Sequence, residues 1–136
     1  MSMIKLIVGN KGTGKTKILI NTINEAAKTT KGNLVCIDKT TKLNFDIDRS
    51  VRIADVDHYG IDNYESFYGF VAGMLAGNYD IMGVYVDSIL KIGNNDLDGL
   101  GLLLSKLEKL LENDVEMVFT VSADESTLPE SVKKYI

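Results

Sequence analysis

The residues with the plainest chemical meaning lie in one loop, "GNKGTGKT" at 9–16, directly after the apolar run "MIKLIV". Gly9, Gly14, Lys15 and Thr16 fit the spacing GxxxxGK[ST], in which a strand-to-helix turn aims consecutive backbone N–H groups at phosphate oxygens. The positive end of the following helix adds to that attraction. Gly12 and Gly14 permit backbone conformations closed to larger residues and let a phosphate come near. Lys15 is placed to span β- and γ-phosphate oxygens, and the Thr16 hydroxyl to ligate Mg²⁺. The candidate nucleotide contacts are therefore Asn10, Lys11, Gly12, Thr13, Gly14, Lys15, Thr16 and Lys17, with Lys15 also a candidate catalytic cation.

A metal at Thr16 calls for a carboxylate at the end of another buried strand. "IMGVYVD" supplies one: a largely apolar run closing on Asp87, whose other reading is a helix N-cap. In a parallel sheet, ligands meet the carboxyl ends of the strands, so Asp38 after "NLVCI" and Asp57 after "VRIADV" are further candidates. Asp38 is the better of the two as a water-activating base, and each is equally explained as a turn residue. The only histidine, His58, reads as part of a solvated turn, and the only cysteine, Cys36, as a buried thiol with no intrachain disulfide to form.

Positioning these groups takes an ordered set of elements. The run at 3–9 suits a strand buried on both faces, and a helix over about 14–29 follows with Ile18, Leu19, Thr22, Ile23, Ala26 and Ala27 on one face. Gly32 is a plausible stop, and strands are expected over 33–38 and, more weakly, 51–57. Between them, Leu43, Phe45 and Ile47 alternate as in an exposed extension or hairpin arm. A helix over 61–78 carries Tyr64, Phe67, Tyr68, Val71, Met74 and Leu75 at helical spacing, and also Gly69, Gly73 and Gly77 at every fourth position. Each such glycine costs about 1 kcal/mol against alanine, so the stripe predicts close approach to the sheet or a neighbouring helix, or else a subunit contact. A strand over 79–88 precedes a leucine-faced helix capped by Asn95 or Asp96, with Leu100, Leu103, Leu104, Leu107, Leu110 and Leu111 on its apolar side. A fifth strand spans 115–123, and "TLPE" at 127–130 predicts a short final helix capped by Thr127. Strands alternating with helices imply a mostly parallel sheet with helices on both faces.

With "IKLIVGNKGTGKT" and the later "VYVDS", the chain resembles the P-loop NTPases, in detail the RecA-like branch and small bacterial ATP-binding proteins. The resemblance implies a three-layer α/β fold in which a further strand lies between the loop-bearing strand and the Asp87 strand and ends in a polar sensor. "VEMVFTVS" fits, with Ser122 or Thr120 as that sensor. The branch usually carries a glutamate beside or near the strand-end aspartate to activate water; Ser88 stands beside Asp87 here, and a hydroxyl is a poor general base. Arginines that would neutralise charge in phosphoryl transfer reduce to Arg49 and Arg52, near the arm.

At 136 residues, with 45% hydrophobic and 25% charged residues, the chain reads as one domain over 1–136 with a sizeable core. Residues 1–42 hold eight Lys against Glu25 and Asp38, whereas residues 43–136 hold seven basic against seventeen acidic groups. Positive potential gathered at the loop end suits phosphate, and overall acidity argues against an extended nucleic-acid surface. No run reaches the roughly 18 apolar residues of a membrane span, and no signal-peptide pattern opens the chain, so a cytoplasmic protein is expected. The leading expectation is an ATP- and Mg²⁺-binding protein, a slow ATPase completed by a homo-oligomer or protein partner that brings Arg49, Arg52 or Lys42 across. Alternatives are a non-catalytic nucleotide-dependent module and a small-molecule kinase, the latter weakened because neither an arginine-bearing lid nor an acceptor pocket is visible in the sequence. No guanine-reading NKxD motif appears, which favours ATP over GTP.

Overall fold

The computed structural model describes residues 3–39, 46–111 and 114–136. Among them, five strands form one all-parallel sheet in the order β1-β5-β4-β2-β3: β1 Ile4–Gly9, β2 Asn33–Asp38, β3 Arg52–Asp55, β4 Ile81–Val86 and β5 Glu116–Ser122. The strand order agrees with the sequence expectation that β5 lies between the loop-bearing strand and the Asp87 strand. β1 is an edge of this sheet, and its Leu6 N–H is met on the outer side by the Tyr135 carbonyl at 3.1 Å.

Side-chain alternation divides the core in two. Leu34 and Cys36 of β2, Tyr85 of β4 and Val118 of β5 point to one face, where Leu19 and Ile23 of helix α1 (Lys15–Thr29) cover them, joined by Ile47 and Val51. Val35, Ile37, Val84, Val86, Met117 and Phe119 point the other way. That face is covered by α2 (Tyr64–Gly77), the one-turn α3 (Ile89–Ile92), α4 (Leu97–Leu110) and α5 (Glu130–Lys133). Helices on both faces of a parallel sheet are the arrangement expected for strands that are apolar on both sides. No described helix is long and apolar enough to cross a membrane.

Local chemistry sets the helix limits. Asn63 and Ser66 form a reciprocal capping box at α2, and Asp96, not Asn95, caps α4 through Gly99 N–H at 2.9 Å. Thr127 does not cap the last helix: it lies in a 3-10 turn, Glu125–Thr127, which Asp124 caps, and α5 starts after Pro129 without a side-chain cap. Ile18, placed on the apolar face by its spacing, is half exposed at 50%, because one sheet face meets a narrower stripe of α1 than the pattern allows. Ile47 is buried under α1 rather than exposed on an arm; Leu43 and Phe45 lie outside the described residues.

The glycine stripe of α2 corrects a larger expectation. A Cβ built on Gly69, Gly73 or Gly77 meets nothing within 4 Å, and all three residues are exposed. The helix packs through Phe67 and Val71, on the face away from the glycines, so close approach within this chain does not explain them. Gly73→Ala should therefore raise stability by about 1 kcal/mol through helix propensity alone, seen as a higher urea midpoint with an unchanged slope. A lower midpoint would show that the stripe is packed against a second molecule.

Candidate functional site

The loop after β1 is shaped by its glycines. Gly12 (φ 86°) and Gly14 (φ 85°) hold left-handed backbone conformations, and a Cβ on Gly9 would crowd the Thr13 hydroxyl at 2.6 Å. The Asn10 carbonyl gathers the turn, accepting from Thr13 N–H at 3.2 Å, Thr13 Oγ1 at 2.8 Å and Lys15 Nζ at 2.9 Å. The Asn10 side chain lies toward Asp124. That carboxyl is held below its usual range by the Ser126 N–H and hydroxyl, with Asn10 a lesser contributor.

Sheet register brings the remaining groups together. Ile37 of β2 is level with Val86 of β4, and Val86 with Phe119 of β5, so one residue further on Asp38, Asp87 and Thr120 form a row on the α1 face. All three are buried. Thr120 Oγ1 donates to Asp87 Oδ1 at 2.6 Å and accepts from Ser88 N–H at 2.6 Å. Thr16, on the first turn of α1, sets its hydroxyl 3.2 Å from both Asp87 oxygens. Asp38 Oδ1 accepts from Lys39 N–H at 2.8 Å. Ser88 has φ 60° and ψ 54°, a left-handed geometry unusual for a residue with a side chain.

Two clefts meet here. A cleft of about 470 Å³ is lined by Lys11, Gly12, Gly14, Lys15 and Thr16 of the loop and by Ser88, Leu90, Lys91, Asn95, Thr120 and Ser122. A larger one of about 850 Å³ adjoins it, bounded by Thr16, Lys17, Asn21, Asp38, Asp87, Ser88 and Lys91 among others. Nothing in the sequence announces this second cleft, because α1, the ends of β2 and β4, and α3 supply its walls from distant positions.

No family model matches the sequence, and no curated protein matches it. Solved structures do. Over 98% of this chain the fold is similar to a KaiC-like protein of the archaeon Pyrococcus horikoshii, with a TM-score of 0.70 at 18% identity. Over 96% it is similar to the flagellar accessory protein FlaH of Methanocaldococcus jannaschii (TM-score 0.63, 17% identity), and over 99% to PCH-2 of C. elegans (TM-score 0.58, 15% identity). The fold is RecA-like. The chain spans 69%, 65% and 34% of those three structures respectively.

On this RecA-like frame, the loop residues divide by location. Lys11, Gly12, Gly14, Lys15 and Thr16 line the smaller cleft, Lys17 the larger one, and Asn10 and Thr13 bond within the turn. Ser122, level with Gly9 at the end of β5, reaches the smaller cleft, whereas Thr120 is buried against Asp87. Asp57 and His58 are exposed beyond β3, the His58 ring edge-on to Tyr59 at 4.8 Å. Arg49 and Arg52 lie at the start of β3, the end of the sheet opposite Asp38 and Asp87. Lys91 went unremarked in the sequence; the signal was present in "ILKI", where it is the one polar position of a buried turn.

Cys36 sits one strand position pair below Asp38 in the α1 layer. Burial, then the Asp38 and Asp87 charges, push its thiol up to about 12. With the thiolate scarce at neutral pH, a thiol-specific reagent at pH 8 should leave the native protein unlabelled and label it only on unfolding. Equal rates in both states would contradict the burial. Thr120→Val removes the one hydroxyl shared by Asp87 and Ser88 N–H, and should cost about 1–3 kcal/mol in denaturant unfolding. A loss below a few tenths would mean the bridge is dispensable.

Proposed function

We propose that the protein is a P-loop ATPase that binds ATP and Mg²⁺ through Lys11, Gly12, Thr13, Gly14, Lys15 and Thr16 together with Asp87, and that its turnover is slow until a second subunit or partner completes the site. The observation that carries this reading is the pair Thr16 and Asp87, whose oxygens stand 3.2 Å apart at the end of a glycine-shaped loop. A hydroxyl and a carboxylate are hard oxygen donors, the set that holds Mg²⁺ when substrate phosphates supply the rest. Mg²⁺ bound there would offset charge on the phosphate oxygens.

The chain's own residues account for binding more fully than for hydrolysis. Loop amides and Lys15 hold phosphate, and Thr120 keeps the Asp87 carboxylate turned toward Thr16. Ser88 follows Asp87 where a carboxylate would orient water, so Asp38, in the same row and in the adjoining cleft, is the candidate base. Ser122 is the candidate sensor at the cleft wall. Arg49 and Arg52 lie toward the opposite end of the strands from their own chain's site, which supports a contribution across an interface.

Calorimetric titration and turnover on one sample test this. Wild type should bind ATP with Mg²⁺, and Lys15→Ala should lose about a hundredfold in affinity, the scale of charge-assisted contacts to phosphate. Turnover per molecule should rise with protein concentration, and Asp38→Asn should remove it while leaving ATP bound. Rapid turnover independent of concentration would overturn the partner requirement; ATP affinity indifferent to Lys15 would overturn the site. The left-handed Ser88 in place of a carboxylate also favours a second reading, a nucleotide-dependent module without catalysis. Intact ATP after long incubation with Mg²⁺ at high protein concentration selects it.

A further inference from the structure

Lys91 is carried by the four-residue helix α3, and that helix is pinned at every other position. Ile89, Leu90 and Ile92 are buried in the core, while Lys91 is exposed. The chain enters α3 through the left-handed Ser88, whose N–H is held by Thr120, and Lys91 N–H bonds to the Ser88 carbonyl at 3.0 Å. It leaves at Gly93, against which the Tyr64 ring is packed so closely that a Cβ would overlap it, and the Tyr64 hydroxyl donates to the Asp96 carbonyl at 2.9 Å. The Lys91 stem therefore projects from a fixed base.

Where it projects is shared ground. Thr16, Ser88 and Lys91 are the residues common to both clefts. The smaller cleft is lined by three lysines, Lys11, Lys15 and Lys91, and by no carboxylate. Of these, Lys15 is bound to the Asn10 carbonyl inside the loop, and Lys11 stands on the loop itself. Lys91 alone comes from the strand-end side, where it lines the larger cleft together with Thr16 and Asp87, and among the described residues its ammonium makes no ion pair. A phosphate chain laid along the loop would extend toward this cation with its far end, the end that a triphosphate has and a diphosphate lacks.

We propose that Lys91 is the residue by which the site distinguishes a nucleoside triphosphate from a diphosphate, holding the terminal phosphate between its ammonium and that of Lys15. The proposal rests on the phosphate-loop reading given above. Lys91 gives the site a charge from its own chain at the place where Arg49 and Arg52 give none, and it acts on the bound triphosphate before any partner arrives. Because α3 is continuous with Asp87 and Ser88, loss of the terminal phosphate removes the contact that ties this turn to the loop.

The test is calorimetric titration of the full chain with ATP and, separately, with ADP, each with Mg²⁺, for wild type, Lys91→Ala, Lys91→Gln, Lys91→Arg and Lys15→Ala. Lys91→Ala and Lys91→Gln should weaken ATP by about tenfold or more while leaving ADP within about twofold, as expected for one charge-assisted contact to the terminal phosphate. Lys91→Arg should keep the preference for ATP, and Lys15→Ala should weaken both nucleotides. Equal losses for ATP and ADP, or no loss for either, in Lys91 variants that melt like wild type would overturn the proposal and leave the phosphate loop standing. A wild type that binds neither nucleotide would overturn the loop reading and the proposal together.

Discussion

The Thr120 hydroxyl is the joint on which this site turns. With its proton it fixes one Asp87 oxygen, and with its lone pair it holds the Ser88 amide, both at 2.6 Å in a buried setting. A buried carboxylate without such a donor would be costly to keep charged, and the left-handed Ser88 would lack the contact that offsets its geometry. Thr120 can do this only because β5 is inserted between β1 and β4 in strict parallel register. The same insertion sets Ser122 beside Gly9, so one strand aligns both the acid and the origin of the loop.

Parallel register also explains why the site is a row and not a cluster. Asp38, Asp87 and Thr120 project from successive strands on one face, one step beyond the apolar side chains Cys36, Tyr85 and Val118 that α1 covers. The boundary between apolar and polar side chains is thus the boundary between core and cleft. Among the described residues, no group of three His, Cys, Asp or Glu side chains comes together as a metal cage. What the structure brings together is a hydroxyl and a carboxylate, Thr16 and Asp87, 3.2 Å apart.

Much of this was legible in order along the chain. The loop pattern, the Asp87 strand end and the helix periods are local signals, and the structure has α1 and α4 close to where spacing puts them. Features that depend on which faces meet were not legible. The glycines of α2 look like a packing device, yet their face is open; Ile18 looks like core, yet the sheet has no neighbour for it. Arg49 and Arg52 are near Asp38 in sequence, but Asp38 closes β2 whereas the arginines open the parallel β3, so they lie toward opposite ends of the strands. Lys91 and the larger cleft were not legible because α3 is too short for periodicity and the cleft's walls come from separate elements.

The pairing of β1 with β5 joins opposite ends of this sequence, Ile4 level with Met117 and Gly9 with Ser122. Such a contact closes a longer loop, at a greater entropic cost, than the pairings among β2, β3 and β4. During synthesis the strand that bears the loop precedes the other four described strands, and its partner follows them. Until β5 has been made, β1 lacks its sheet neighbour and Gly9 lacks its register with Ser122. The placement of the loop thus depends on a pairing between distant parts of the chain, so a chain stalled before β5 would carry every residue of the loop without the strand that sets its origin.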